Sequence, residues 1–109
     1  MEHLASKKLG ILLSTPPEHP NVQAVIRLCE EALAAGVEVY LYLIDEGVKN
    51  LPNAKLRNLT ASGLKYFACA YGCQRHNVPT DGYGEDVTFC GLVVLSNIIN
   101  GCDRFLAFN

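Results

Sequence analysis

No charge of one sign dominates this 109-residue sequence: nine Lys and Arg stand against eleven Asp and Glu, a net charge of -2. A broad basic field is missing, so direct nucleic acid binding is not expected. Long apolar runs are missing too. The longest have about half a dozen residues, against the ~20 of a membrane span, and no membrane partner is expected. The N-terminus lacks the pattern of a secretory leader. Lys7-Lys8 is followed only by the short run Leu9–Leu13, which leads into Pro16-Pro17 with no small-residue cleavage site. A cytoplasmic location is therefore expected.

Several catalytic signatures are absent as well. There is no Walker A sequence and no Gly-x-Ser-x-Gly elbow. Gly82-Tyr83-Gly84 has no third glycine and opens no helix directly, so it is not a dinucleotide fingerprint. Cys69 and Cys73 are one residue too far apart for a thioredoxin-type pair. The five cysteines are an odd number, which in a reducing compartment argues against a disulfide framework.

What is present suits one packed domain spanning 1–109. Apolar residues make up 50% and charged residues 18%, enough for a core and too few charges for a disordered chain. Lys8–Ser14 reads as a strand buried on both faces. Asn21 is the expected N-cap of a helix carrying Val22, Val25, Ile26, Cys29, Ala32 and Leu33 on one stripe, closed by Gly36. Val37–Ile44 is rich in β-branched and aromatic residues, as strands are. A turn and short helix are expected over 45–51, and a second short helix ending at Gly63 within 52–62. Leu64–Ala70 is the third strand. A short helix over 71–76 follows, closed by Asn77. Asp86–Phe89 is a short strand, Gly91–Asn100 a helix, and Asp103–Phe108 the last strand. Strands alternate with helices throughout, which predicts an α/β three-layer sandwich with a mainly parallel sheet.

In such a fold, sites gather at the carboxyl ends of the strands. Four loops should meet there: Thr15–Pro20, Asp45–Gly47, Cys69–Cys73 and the stretch around 88–91. Cys69 leads the candidates. At the end of a strand and the start of a helical turn, a thiol meets backbone N–H groups that stabilise the thiolate, the form that accepts or passes on sulfur. Cys73, about one helical turn on, is an auxiliary thiol or packing. Thr15, His19, Asp45, His76 and Cys90 are pocket candidates on the same edge. Tyr71, Tyr83 and Phe89 are read as pocket walls or subunit contacts. Cys69, Cys73, His76 and Cys90 also suggest a zinc site, a weak reading because the spacing lacks a second paired knuckle. Cys29 and Cys102 read as structural.

In the order of these segments the chain resembles the DsrE/DsrF/TusD-like family of small sulfur-handling proteins. The resemblance rests on Leu9–Ser14 and on Ala32-Leu33-Ala34-Ala35-Gly36-Val37-Glu38-Val39. It continues through the turn Ile44-Asp45-Glu46-Gly47-Val48, Cys69 ahead of a short helix with Arg75 to Val78, and the tail from Gly91 to Phe108. Tyr71-Gly72-Cys73 stands where that family has an alanine-rich turn, and Gly72 is expected to weaken the helix after Cys69. The resemblance implies a five-stranded, mainly parallel sheet between helices and a homotrimer or homohexamer. It also implies a persulfide on Cys69 exchanged with donor and acceptor proteins. No metal or organic cofactor is required. Aromatics favour interface cores, so Tyr40, Tyr42, Tyr83 and Phe89 are expected near subunit contacts. The rival reading is a ligand- or subunit-binding module without turnover, in which Cys69 only packs.

Overall fold

The computed structural model describes residues 6–109; residues 1–5, part of the stretch read above for a leader, lie outside the described residues. The elements follow the expected alternation. They are β1 (Lys8–Leu13), α1 (Asn21–Ala34), β2 (Glu38–Leu43), a 3-10 turn (Asp45–Asn50), α2 (Ala54–Leu59) running into a second 3-10 turn (Thr60–Ser62), β3 (Lys65–Cys69), α3 (Ala70–Arg75), β4 (Val87–Cys90), α4 (Leu92–Gly101) and β5 (Arg104–Phe108). No described helix is long and apolar enough to cross a membrane.

The five strands form one sheet in the order β4-β3-β2-β1-β5, and all four pairings are parallel. The chain steps outward from β1 to β4 and then returns across the sheet to β5. With right-handed crossovers, this sends α1, α2 and α3 to one face and α4 to the other. Gly10 marks the α4 face: a Cβ there would press on Phe105, Ile98 and Cys102. The core forms where the sheet meets α1. Ile11, Leu13, Val39, Leu41 and Leu43 are fully buried against Val22, Val25, Ile26 and Cys29. Each such side chain contributes about 1.5–3 kcal/mol through loss of apolar surface to water.

Three helix ends close by the same device. Gly36, Gly63 and Asn77 adopt left-handed backbone conformations, with φ of 83°, 104° and 56°. At each, the next residue bonds back five positions: Val37 to Ala32, Leu64 to Leu59, and Val78 to Cys73. These are Schellman closures, and Gly or Asn is the residue that tolerates them.

The start of α1 differs from expectation. Asn21 is the first helical residue rather than the cap, and Pro20 holds the cap position without a side-chain bond. The capping work passes to His19, whose Nδ1 accepts the Asn21 N–H at 3.0 Å. Freed from that duty, the Asn21 side chain donates to the Asn109 carbonyl at 3.3 Å. The aromatic expectation also needs correcting at Tyr42, which is fully buried under α4 and covers no outer surface.

Candidate functional site

The carboxyl ends of β1 and β2 are drawn together at Gly47. A Cβ at this position would collide with the Leu13 carbonyl oxygen, so only glycine lets the turn pass. Asp45 before it has φ of 52°, and Val48 after it is fully buried. The Asp-x-Gly-Val pattern thus sets the floor of the site through a close backbone approach. Gly72 of α3 packs on this floor: its missing Cβ would lie 3.1 Å from Val48. That contact offsets the helix weakening expected of glycine, and α3 forms.

Cys69 is the last residue of β3 and the N-cap of α3. Its Sγ accepts the Gly72 N–H at 3.3 Å, a donor that an anionic sulfur accepts more strongly than a neutral one. The residue is 7% exposed. Its opening is a cavity of about 370 Å³ bounded by the 3-10 turn, α3 and the start of α4. Asp45 lies on one side, Arg75 and His76 on another, and the outward-facing Tyr71 and Leu92 form an apolar rim. Of the expected pocket residues, the structure therefore brings Asp45 and His76 together with Cys69.

Cys90 stands beside them. It is the in-register partner of Cys69 across the parallel β3–β4 pair. By alternation, both side chains belong to the α4 face, as does Tyr42 one row below. The Tyr42 hydroxyl donates to the Gly91 carbonyl at 3.0 Å and approaches that of Cys90 at 3.5 Å. Burial, then the neighbouring Cys90 and Cys69 thiols, push the Tyr42 hydroxyl well above its ordinary value. Burial also pushes the Cys90 thiol up, against a lowering influence of the nearby Tyr42 hydroxyl. Tyr42 is the site residue that sequence reasoning missed. The alternation of β2 shows which face it takes, but its contact with the end of β4 depends on strand order.

The remaining candidates fall elsewhere. His19 is exposed and committed to Asn21, and neither it nor Thr15 lines the cavity. The Thr15 carbonyl instead accepts the Asn50 side-chain amide at 2.9 Å, tying the first loop to the 3-10 turn. Cys73 is fully buried, and burial and the nearby Cys69 push its thiol up. Tyr83 and Phe89 pack edge-to-face with centroids 6.0 Å apart, and Arg57 lies over Tyr83. They do not line the Cys69 cavity. Among the described residues no three His, Cys, Asp or Glu converge as metal ligands, so the zinc grouping is not assembled. A larger cavity, about 490 Å³, lies at the opposite end of the sheet around Lys8, Val37 and Arg104, and no cysteine is among its lining residues.

The structure is similar to the crystal structure of the YchN protein from E. coli. The two share 18% identity and a TM-score of 0.76, over 94% of this chain and 99% of that one. A conserved protein of unknown function from Bacteroides thetaiotaomicron is similar too, at 20% identity and a TM-score of 0.73, over 94% of this chain and 95% of its own. These likenesses show the fold. No curated protein matches the chain. The model of the DsrE/DsrF-like family matches residues 7–108.

Proposed function

Because the chain belongs to the DsrE/DsrF-like family, we propose that it serves in sulfur relay, carrying sulfane sulfur as a persulfide on Cys69. The observation that carries this reading is the placement of the Cys69 sulfur. It caps a helix, accepts a backbone N–H at 3.3 Å, and opens into a cavity at the carboxyl ends of the strands. In the proposed cycle the Cys69 thiolate attacks the outer sulfur of a donor persulfide. The donor leaves as a thiolate, and the new Cys69–S–S–H group is later attacked at its outer sulfur by an acceptor thiolate. Gly72 N–H orients the sulfur, and the small exposure of Cys69 limits access by bulk thiols. Arg75 and His76 supply donors on one wall, and Cys73 is a buried auxiliary thiol beneath. The cycle needs no metal or organic cofactor. Its reduced thiols suit a cytoplasmic setting, with donor and acceptor proteins as partners.

The same reading includes assembly as a homotrimer or homohexamer. Leu92 and Val93 are 64% and 77% exposed at the start of α4, beside the cavity rim. Exposed apolar groups so close together favour a subunit contact.

The rival reading, a binding module without turnover, draws on that apolar rim and on the small exposure of Cys69. Peptide-resolved labelling with iodoacetamide at pH 7 separates the two. A carrier requires Cys69 to alkylate ahead of Cys29, Cys73, Cys90 and Cys102. If Cys69 is as slow as the buried Cys29, the binding module is the better account.

A further inference from the structure

The carrier reading leaves Cys90 without a task, yet no thiol is better placed beside Cys69. The two are lateral partners in the β3–β4 register. Adjacent strands lie about 4.8 Å apart, inside the roughly 4.4–6.8 Å range of Cα separations that a disulfide spans. Side-chain alternation puts both thiols on the same face of the sheet. Cys90 is partly exposed, whereas Cys73, the other nearby thiol, is fully buried. The Cys90 Sγ contacts the Thr88 carbonyl weakly, at 3.8 Å, and has the Tyr42 hydroxyl nearby. Tyr42 holds the chain just beyond it through the Gly91 carbonyl. A Cβ on Gly91 would meet nothing, so the space beside the strand end is open.

We propose that Cys90 is a resolving thiol for Cys69. This rests on the carrier reading. When the Cys69 persulfide finds no acceptor, the Cys90 thiolate attacks the inner sulfur, Sγ of Cys69. The persulfide S–S bond breaks and its electron pair leaves with the outer sulfur as hydrosulfide. A Cys69–Cys90 disulfide forms in its place. The sulfane sulfur is reduced to sulfide while the two cysteine sulfurs are oxidised to the disulfide. The Cys90 proton is lost to solvent before the attack. Low-molecular-weight thiols, through two exchange steps, then return both cysteines to the reduced form. Tyr42 is the positioning residue, since its hydroxyl holds the end of β4 through the Gly91 carbonyl. The raised Cys90 thiol makes this discharge slow near neutral pH and faster as pH rises, which leaves time for a docked acceptor to take the sulfur first.

The test loads the full chain with inorganic polysulfide, desalts it and follows intact mass and released sulfide. A persulfide adds about 32 Da and an internal disulfide removes about 2 Da. Wild type and Cys73→Ser should lose the added sulfur, release an equivalent of sulfide and yield a linked Cys69–Cys90 peptide pair. Cys90→Ser and Cys90→Ala should keep the persulfide roughly tenfold longer or more, as when an intramolecular nucleophile is removed. Tyr42→Phe should slow the discharge. A persulfide that decays equally fast in both Cys90 variants, or a link from Cys69 to Cys73, overturns the inference and leaves the carrier reading standing. Failure of Cys69 to load in any variant, the Cys90 variants included, overturns the carrier reading itself and the release step with it.

Discussion

Replacing Tyr42 with Phe deletes one oxygen from a fully buried side chain and leaves the ring packing in place. The lost oxygen donates to the Gly91 carbonyl at 3.0 Å and stands 3.5 Å from that of Cys90. A buried hydrogen bond is worth about 1 kcal/mol net, and leaving a buried acceptor unpaired costs about 1–3 kcal/mol. Gly91 is exposed, so water can take over part of the duty. The expected loss is therefore about 1–1.5 kcal/mol, or roughly 4–8 °C in Tm for a domain of this size. The nearby hydroxyl also lowers the Cys90 thiol, against the rise from burial. Removing it pushes that thiol further up, so alkylation of Cys90 at pH 8–9 should slow while that of Cys102 stays unchanged. Chemical denaturation measures the first effect and peptide-resolved alkylation the second. Unchanged stability together with unchanged or faster Cys90 labelling would refute the account of Tyr42 as the clamp on the end of β4.

Gly47→Ala should destabilise the fold by about 3 kcal/mol or more, because the new Cβ strikes the Leu13 carbonyl with no side chain free to yield; a denaturation midpoint near wild type would show that the two strand ends can part without cost. Cys29 links stability to alkaline pH. Burial and Glu30 raise its thiol from 9.0 to about 12, so its contribution is fully present below pH 9 and is lost as pH climbs from there towards 12. By pH 11 the loss is about 2–3 kcal/mol, and the stability gap between wild type and Cys29→Ala should narrow over that window; curves that stay parallel from pH 8 to 11 would contradict the burial argument. Val93→Glu places a charge on the exposed start of α4 and should shift the assembly towards single chains in light scattering, whereas an unchanged mass would remove α4 from the subunit contact.

Local signals account for what was legible. The stripe on α1, the β-branched run of β2, and the closures at Gly36, Gly63 and Asn77 each depend on neighbours within a few residues, so periodicity and turn chemistry reveal them. The placement of Cys69 was legible because a strand end followed by a helical turn is likewise local. Less visible was anything set by lateral register. Nothing near Cys90 in the chain says that it lies opposite Cys69, because parallel pairing is decided by the whole crossover through α3. The same holds for Tyr42, whose alternating pattern suits an outer face until α4 covers it. At Gly47 the sequence marks a turn, but the need for glycine comes from β1, some thirty residues earlier. His19 shows a different kind of miss. A proline at the cap position removes the usual capping choice, and a side chain from the preceding loop replaces it.

The central claim is that sulfur resides on Cys69. It is tested most directly by mapping the persulfide. The full chain is incubated with a persulfide donor, blocked with an alkylating agent and digested, and each cysteine peptide is examined for one added sulfur of about 32 Da. The account predicts the added sulfur on the Cys69 peptide of wild type and its disappearance in Cys69→Ser, with Cys29 and Cys102 unmodified throughout. Sulfur found on another cysteine at wild-type yield in Cys69→Ser, or absent from the Cys69 peptide at saturating donor, would contradict it.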